Sequence, residues 1–300
     1  MKNGFRALVG LWLGVCPFAA QADEEGGFRL LIDGEASVGY DSNVTRAAYT
    51  RDIVEDSMVS GSLAAVWNHE FGLMSAATVR GFVDGEAFTD IDTINRASAG
   101  IQGMYRWQNA LGFTRPFYQV SVTAQRDDSA TDLRDANRYT AQAFVTRRMT
   151  DALRASVGIE GSMQESEGVV FDTQQARLFV NGDLQVTDNW AVYGTYSFIS
   201  GDTVSSAQQV FCNGALAGDT YGLITAADEI ETDVALNDAL CGSWLAYRLE
   251  AQTHAAVLGA NRGFGHHLSF DVSAQHVMVF AEGDNEYQRT IVRAGILARF

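Results

Sequence analysis

The chain has 300 residues, of which 47% are hydrophobic, and it contains 29 Gly, 2 Pro and 3 Cys. Its 21 basic and 37 acidic residues give a net charge of −16 and a pI near 4.6. This acidity argues against a nucleic-acid-binding protein, because contacts to phosphates require clustered Lys and Arg. The scarcity of proline leaves room for long uninterrupted strands.

The first 22 residues have the pattern of a secretory signal peptide. Lys2 and Arg6 form a short basic region, residues 7–20 are mostly apolar, and Ala20-Gln21-Ala22 is a small-x-small cleavage pattern. We therefore predict a signal peptide over residues 1–22 and a single exported domain over residues 23–300. After residue 22 no apolar run of 18 residues occurs, so we predict no membrane-spanning helix in the mature chain.

An alternation of apolar and polar residues recurs through the exported domain, and this period of two is typical of strands. In residues 153–164, for example, Val157 and Ile159 alternate with Ser156 and Glu160. Twelve such segments are predicted, near residues 30–40, 58–69, 73–88, 96–107, 113–126, 138–148, 153–164, 175–187, 190–200, 243–258, 266–280 and 287–300.

The connections between these segments alternate between short and long. A soluble β-sandwich has no reason to alternate its loop lengths so regularly. An outer-membrane barrel does, because its periplasmic turns are short, its outer loops are longer and its strand number is even. We therefore predict an all-β fold, an antiparallel transmembrane β-barrel of about 12 strands located in the cell outer membrane.

Aromatic residues cluster near the predicted strand ends, as the two membrane interfaces favour. The C-terminal Phe300 also ends an amphipathic strand, a pattern that resembles the signal by which outer-membrane barrels are recognised for insertion. We expect Phe300 to act as this assembly signal. The periplasmic ends carry Trp67, Tyr105, Trp107, Phe113 and Trp190, and the outer ends carry Tyr40, Phe88, Tyr139, Phe198 and Trp244.

The inward positions of the strands are unusually charged. We interpret them as the lining of a passage for hydrophilic solutes, with a salt-bridged plug as an equally weighted alternative. Glu35 and Arg293 are expected to form a pair where the first and last strands close the barrel. The predicted lumen-lining residues are Glu35, Arg80, Asp84, Glu86, Arg106, Arg154, Glu160, Arg177, Asp183, Arg248, Glu250, Asp271 and Arg293.

The longest connection, residues 201–242, contains Cys212, and Cys241 lies near its end. In an exported protein these cysteines are predicted to form a disulfide that ties the base of the loop. The acidic cluster over residues 228–233 is interpreted as a solvated face, because it lacks the ligand spacing of a calcium loop. We predict no metal site and no cofactor. The acidic outer loops are expected to make the entrance weakly cation-selective.

His267-Leu268-Ser269 matches the His-x-Ser spacing of outer-membrane phospholipase, which makes an enzyme an alternative to consider. Both His267 and Ser269 fall on the inward parity at the periplasmic end of their strand, whereas that family needs them to face lipid near the outer rim. We therefore predict no catalytic residues.

Gly39-Tyr40-Asp41-Ser42-Asn43-Val44 ends the first predicted strand. This motif resembles one in several families of Gram-negative barrels, including the barrel domains of surface lipoprotein assembly modifiers. The resemblance implies a second candidate function, a surface-exposed binding or export-assisting barrel that works through its outer loops. The predicted function remains a porin-like passive channel for small hydrophilic solutes. Expected partners are outer-membrane lipid, lipopolysaccharide and the barrel assembly machinery, and no nucleic acid.

We expect Phe300→Ala to impair assembly more than final stability. The terminal aromatic contributes one interface contact to the folded barrel, yet it completes the recognition pattern of the last strand. Quantifying the variant in purified outer membranes, beside the thermal stability of the refolded protein, separates the two effects. Wild-type levels of the variant in the outer membrane would show that Phe300 is only an interface anchor.

Overall fold

The computed structural model describes residues 29–300, and the predicted signal peptide, residues 1–22, lies outside this part of the chain. Twelve long strands form the barrel, and a small folded insertion separates the ninth from the tenth. The elements in chain order are β1 (Arg29–Asp41), β2 (Asp56–Glu70), β3 (Ser75–Phe88), β4 (Arg96–Gln108), β5 (Phe117–Ser129), β6 (Ala136–Arg148), β7 (Leu153–Ser166), β8 (Thr173–Thr187), β9 (Trp190–Gln208), β10 (Phe211–Cys212), β11 (Ala215–Leu216), α1 (Gly218–Ala226), β12 (Glu229–Thr232), α2 (Val234–Leu240), β13 (Trp244–Phe264), β14 (Leu268–Ala281) and β15 (Asn285–Arg299).

Every barrel strand pairs antiparallel with its neighbours, and β1 pairs with β15 to close the sheet. The predicted all-β, 12-strand antiparallel barrel is therefore confirmed. Closure leaves no strand edge in the membrane, where an unpaired peptide group would find no water to bond. The two helices, α1 and α2, are too short to cross a membrane, and no described helix is long and apolar enough to span one.

The closing register corrects one expected pair. Glu35 lies opposite Leu297, and Arg293 lies opposite Gly39, so Glu35 and Arg293 are not cross-strand partners. Arg299 Nε instead donates to Asp33 Oδ1 at 2.6 Å across the same seam. The periplasmic end of the seam is completed by Phe300, whose N–H donates to the Ile32 carbonyl at 2.9 Å and whose carbonyl accepts from the Ile32 N–H.

The outer surface of the barrel is a band of exposed apolar side chains. Leu63 is 60% exposed, Val122 63% and Leu258 69%, although they lie on separate strands around the wall. Such a surface requires a lipid environment, since a soluble barrel would expose its polar residues there. The closed sheet and this exterior place the protein in the outer membrane.

Aromatic rings form a continuous row at the periplasmic end, where the centroids of successive rings lie 4.7 to 6.4 Å apart. Rings near the outer end also contact one another, around His254. Amphipathic rings are favoured at both lipid interfaces, so the two sets mark the limits of the membrane. The periplasmic row runs Trp67, His69, Phe71, Tyr105, Trp107 and Tyr118.

The outer loops are ordered and bonded to one another. Asp135 accepts from the Ser129 N–H at 2.7 Å, and Asp172 accepts from the Ser166 N–H at 2.6 Å, so each carboxylate closes its own loop. Successive loops are then linked, because the Glu167 N–H donates to the Asp135 carbonyl at 2.9 Å. This part of the mouth is therefore a hydrogen-bonded rim.

The two longest strands extend beyond the barrel. β8 pairs with β9 only as far as Gly201, and β14 pairs with β13 only from Ala251, yet β9 and β13 remain paired to Gln208 and Trp244. We call residues 201–250 the lid. The predicted loop over residues 201–242 is thus partly strand, and its remainder folds into α1, α2 and two short pairings.

The lid begins with a bend at Gly201, whose φ is +135°. A Cβ atom there would lie 2.1 Å from the Gln174 carbonyl oxygen and 2.9 Å from the Gln175 Cα. Only glycine combines this backbone conformation with so close an approach to the neighbouring strand. Beyond the bend, residues 203–207 are all buried, so both faces of the hairpin are covered by protein.

We expect Gly201→Ala to displace the lid while the barrel still forms. The added methyl group collides with backbone atoms of β8, and only the segment above the bend is free to move. Limited proteolysis within residues 209–243 should become several-fold faster, with unchanged heat-modifiable migration on gels. Gly182→Ala on β8 is the matched control, because a Cβ there meets no atom within 4 Å. Equal protease resistance of both variants would contradict this role of Gly201.

Candidate functional site

The lumen face of the barrel carries most of the predicted lining residues. Their positions alternate with exposed lipid-facing residues such as Val83, Ile159 and Val292. Such alternation directs every second side chain of a strand to the interior. The structure directs eleven of the thirteen predicted residues inward, namely Glu35, Arg80, Asp84, Glu86, Arg106, Arg154, Glu160, Arg177, Asp183, Asp271 and Arg293.

Arg248 and Glu250 are not in the lumen, which corrects their prediction. Both belong to the lid, above the last β13–β14 pair at Ala251. Arg248 Nη1 donates to the carbonyls of Val169 and Asp172 at 2.8 and 3.0 Å. Glu250 is exposed. In this part of β13 the apolar residues face protein rather than lipid, so apolar alternation no longer marks the lipid side.

One ion-pair network crosses the upper lumen. Arg293 Nη2 lies 3.1 Å from Glu86 Oε1, and Arg96 lies 3.7 Å from the same carboxylate. Arg96 continues to Asp127 at 3.9 Å, and Arg138 reaches Asp127 at 3.0 Å. The network therefore joins β15 with β3, β4, β5 and β6 across the lumen. Asp127 and Arg138 are absent from the predicted lining residues, although Arg138 occupies an inward-facing position of its predicted strand.

Two further contacts organise the lumen. Arg177 and Glu160 are cross-strand partners on β8 and β7, 3.4 Å apart. The Tyr193 hydroxyl donates to Asp271 at 2.7 Å, and its ring passes over Gly259, where a Cβ would lie 2.2 Å from the ring. Sequence reasoning missed Tyr193, because its partner lies two strands away and only the fold brings the two together.

Several arginine side chains of the lumen remain partly accessible to solvent. The side chains of Arg96 and Arg138 are 24% and 20% exposed, and that of Arg293 is 16% exposed, although each has an ion-pair partner. Residues of a dry, salt-bridged plug would be excluded from water. This partial exposure favours a hydrated interior.

The lid spans the outer mouth and contacts the other outer loops. The Ser206 N–H donates to the Thr45 carbonyl at 3.0 Å in the β1–β2 loop. In the β3–β4 loop, the Thr93 hydroxyl donates to the Ala235 carbonyl at 2.7 Å. Glu231 accepts from the Val169 N–H at 3.2 Å in the β7–β8 loop. These bonds fix the lid across the barrel entrance.

Apolar contacts reinforce the lid. Trp244 is 1% exposed and packs with Ile91 of the β3–β4 loop and Leu236 of α2. Its predicted place in the outer aromatic girdle is therefore wrong, since it lies above the membrane within the protein. A second cluster joins Val204 and Ala246 of the hairpin to residues of the β7–β8 loop.

Asp233 is the central polar residue of the lid. Its carboxylate is buried, accepts from Arg134 Nη2 at 2.8 Å and from the Ser206 hydroxyl at 2.7 Å, and caps α2 through the Leu236 N–H. Asp228 of the same acidic cluster is exposed. The cluster is thus only partly the solvated face that its composition suggested, because Asp233 holds the lid to the β5–β6 loop.

The structure contradicts the predicted disulfide, since Cys212 and Cys241 are both free, exposed thiols. Cys212 pairs with Ala215 in the β10–β11 hairpin, whereas Cys241 ends α2 and its carbonyl accepts from Trp244 Nε1 at 3.4 Å. Local hydrogen bonds hold the two residues in different elements. The base of the lid is closed instead by backbone bonds, such as Gln209 N–H to the Ser243 carbonyl at 2.8 Å.

The His-x-Ser sequence lies at the periplasmic end of β14, as expected. His267 Nδ1 lies 2.8 Å from the Arg299 carbonyl oxygen, and its ring stacks on Phe300. The Ser269 hydroxyl accepts from Asn261 Nδ2 at 3.3 Å. These contacts join His267 to the C-terminal strand and Ser269 to β13.

Similarity to known proteins is confined to the fold. No protein-family model and no curated protein sequence matches the chain. An outer-membrane channel from Pseudomonas putida F1 is 11% identical over 96% of this chain and 100% of that one, with a TM-score of 0.52. The KdgM porin in complex with disordered oligogalacturonate is 9% identical over 90% of this chain and 99% of that one, with a TM-score of 0.41.

The translocator domain of the autotransporter NalP from Neisseria meningitidis is 10% identical over 93% of this chain and 90% of that one, with a TM-score of 0.38. At 11% identity, the likeness to the Pseudomonas putida channel shows the fold alone, and a fold by itself does not select a function.

We expect Asp233→Asn to loosen the lid by about 2 kcal/mol, the usual scale for a buried hydrogen bond to a charged group. The variant leaves the Arg134 guanidinium without its counter-ion and weakens the cap of α2. Hydrogen exchange of residues 229–249 should accelerate, whereas exchange in the barrel strands should not. Asp228→Asn is the control, because it removes the same charge from an exposed position. Equal exchange in the two variants would contradict the role of Asp233.

Proposed function

We propose that the protein is a porin-like passive channel for small hydrophilic solutes. One observation carries the proposal: a closed barrel encloses charged side chains that remain partly accessible to solvent, such as Arg96 and Arg138. Charges on a lumen wall stabilise water and polar solutes inside the membrane, and they determine which solutes enter. The interior otherwise has no reason to keep so many charged groups.

The lid belongs to this proposal, because it covers the entrance. Its polar bonds to the rim, such as Arg134–Asp233 and Thr93–Ala235, are few enough to break and reform without unfolding the barrel. We expect the lid to move when solutes pass, so that the structure represents a closed arrangement of the mouth. Loop movements of this kind occur on microsecond to millisecond timescales.

A second candidate function is a surface-exposed binding or export-assisting barrel. The ordered lid favours it, because residues that contact several outer loops present a stable surface to a partner. The similarity of residues 39–44 to the barrels of surface lipoprotein assembly modifiers supports the same candidate. For either function, outer-membrane lipid, lipopolysaccharide and the barrel assembly machinery are the partners that we propose.

Planar bilayer recording distinguishes the two candidates. The refolded wild-type protein should produce brief conductance steps. A variant in which residues 209–243 are replaced by Asn-Gly should stay open longer and conduct several-fold more, because Gln208 and Trp244 are already paired and accept a short turn. Heat-modifiable migration of both proteins verifies that the barrel has formed.

If neither protein conducts, the channel proposal is wrong and the second candidate is favoured. Equal conductance of the two proteins would show that the lid does not obstruct the passage.

A further inference from the structure

The β1–β2 loop forms a rigid arch beneath the lid. Asp41, Asn43, Thr45 and Ala47 are all buried, with 3% exposure or less. The Asn43 side chain accepts a hydrogen bond from the Ala47 N–H and donates one to the Ala47 carbonyl, each at 3.0 Å. It also donates to the Gln288 carbonyl at 3.2 Å, which ties the arch to β15. The motif at the end of the first strand therefore builds a fixed support.

Arg46 is the residue that this support presents. Its φ is +55°, a left-handed conformation that an arginine rarely adopts, and its N–H donates to the Asn43 carbonyl at 3.2 Å. The residues on either side, Thr45 and Ala47, are buried, whereas Arg46 itself is exposed to solvent. The strained backbone and buried neighbours fix the direction in which the side chain leaves the loop.

The surroundings of Arg46 are cationic. Arg289 and Arg134 both lie close enough to influence its charge, together with Tyr287 and Asp41. Partial desolvation by the surrounding protein, and then the charge of Arg289, lower the pKa of Arg46 to about 10, so it remains protonated at neutral pH. The loop that carries Arg46 is bonded to the lid through the Thr45 carbonyl and to β15 through the Asn43 side chain, so the exposed Arg46 faces water where the lid meets the barrel.

The nearby carboxylates are already occupied. Asp41 accepts from Arg289 through both oxygens, with Nε at 2.8 and 2.9 Å, and also from the Asn43 N–H. Asp233 is bonded to Arg134, as described above. Within residues 29–300, no carboxylate lies within 4.0 Å of the Arg46 guanidinium. The space under the lid therefore holds an excess cation with unused hydrogen-bond donors.

We propose that Arg46 is the anchor of a binding site for small anions bearing a carboxylate or phosphate group, in the vestibule between the lid and the lumen. A planar guanidinium binds such oxygens in pairs, and partial enclosure strengthens the contact relative to bulk water. Arg134 and Arg289 add positive potential around the site while retaining their own partners. A guanidinium that is merely solvated would not require a rigid, strained support.

This binding site indicates a class of solute for the proposed channel. Anion binding itself does not depend on the channel function, whereas anion transport does. The sequence suggested a negative entrance that would repel anions. In the folded lid, however, Asp219 is bonded to Arg51 and Asp233 to Arg134, so two of the acidic groups are neutralised locally. Anions that pass the lid therefore meet Arg46 before the balanced charges of the lumen.

Binding is measured on the refolded full barrel in detergent micelles by calorimetry, with inorganic phosphate and malonate as separate probes at low salt. Wild-type protein should bind at least one probe, and Arg46→Gln should weaken binding at least tenfold. Arg46→Lys should have an intermediate effect, because it keeps the charge but loses the paired donors. Arg126→Gln is the matched control: its side chain lies at the same end of the barrel but is 47% exposed at the rim.

Arg46→Gly is a second variant, in which the loop should remain folded because glycine adopts a φ of +55° without strain. It tests whether lost binding results from the missing side chain rather than from misfolding. It should lose binding as Arg46→Gln does. Absence of binding to wild-type protein, equal loss with Arg126→Gln, or full binding by Arg46→Gly would overturn the proposal. Because no membrane is involved, binding without conductance would refute only the channel, and conductance without binding would refute only this site.

Discussion

Hydrocarbon offers no hydrogen-bond partner to a peptide group, and most of the structure depends on this constraint. The sheet can remain in lipid only if its first and last strands pair, as β1 and β15 do over residues 33–41 and 291–299. Closure divides every strand into one lipid-facing and one interior face. Charged side chains are then excluded from the outer face across the membrane, so they accumulate inside and meet across the lumen.

Above the membrane the constraint becomes weaker, but unpaired edges still have to be covered. β9 and β13 lose their barrel neighbours at Gly201 and Ala251 and continue as a hairpin with two free edges. β12 pairs with one edge through residues 229–232, and the β1–β2 loop bonds to the other through Thr45. Covering these edges brings the insertion over the mouth, so the lid follows from strand pairing as the barrel does.

The sequence predicted the membrane part well, because lipid on one side and water on the other impose a strict period of two. The same reasoning failed at residues 203–207, where both faces are buried and no contrast remains. It also failed at Arg248 and Glu250, since Tyr247 and Leu249 beside them are covered by other loops rather than by lipid. Apolar alternation identifies a covered face but does not identify what covers it.

Contacts between distant segments were equally inaccessible. The positions of Cys212 and Cys241 in the chain suggested a disulfide, yet the lid is held by backbone pairing and by Asp233. Arg46 follows a recognisable motif, but its importance depends on the burial of its neighbours and on the nearby Arg289. Neither property can be derived from spacing along the chain.

The central claim is that an ordered lid, built on the extended β9–β13 hairpin, lies across the mouth of the barrel. Hydrogen–deuterium exchange of the unmodified protein in lipid nanodiscs tests it most directly. Amides of residues 203–207 and 244–249 should exchange slowly, at rates comparable to those at the outer ends of neighbouring barrel strands. Exchange of these amides at the rate of a solvated loop would contradict the claim.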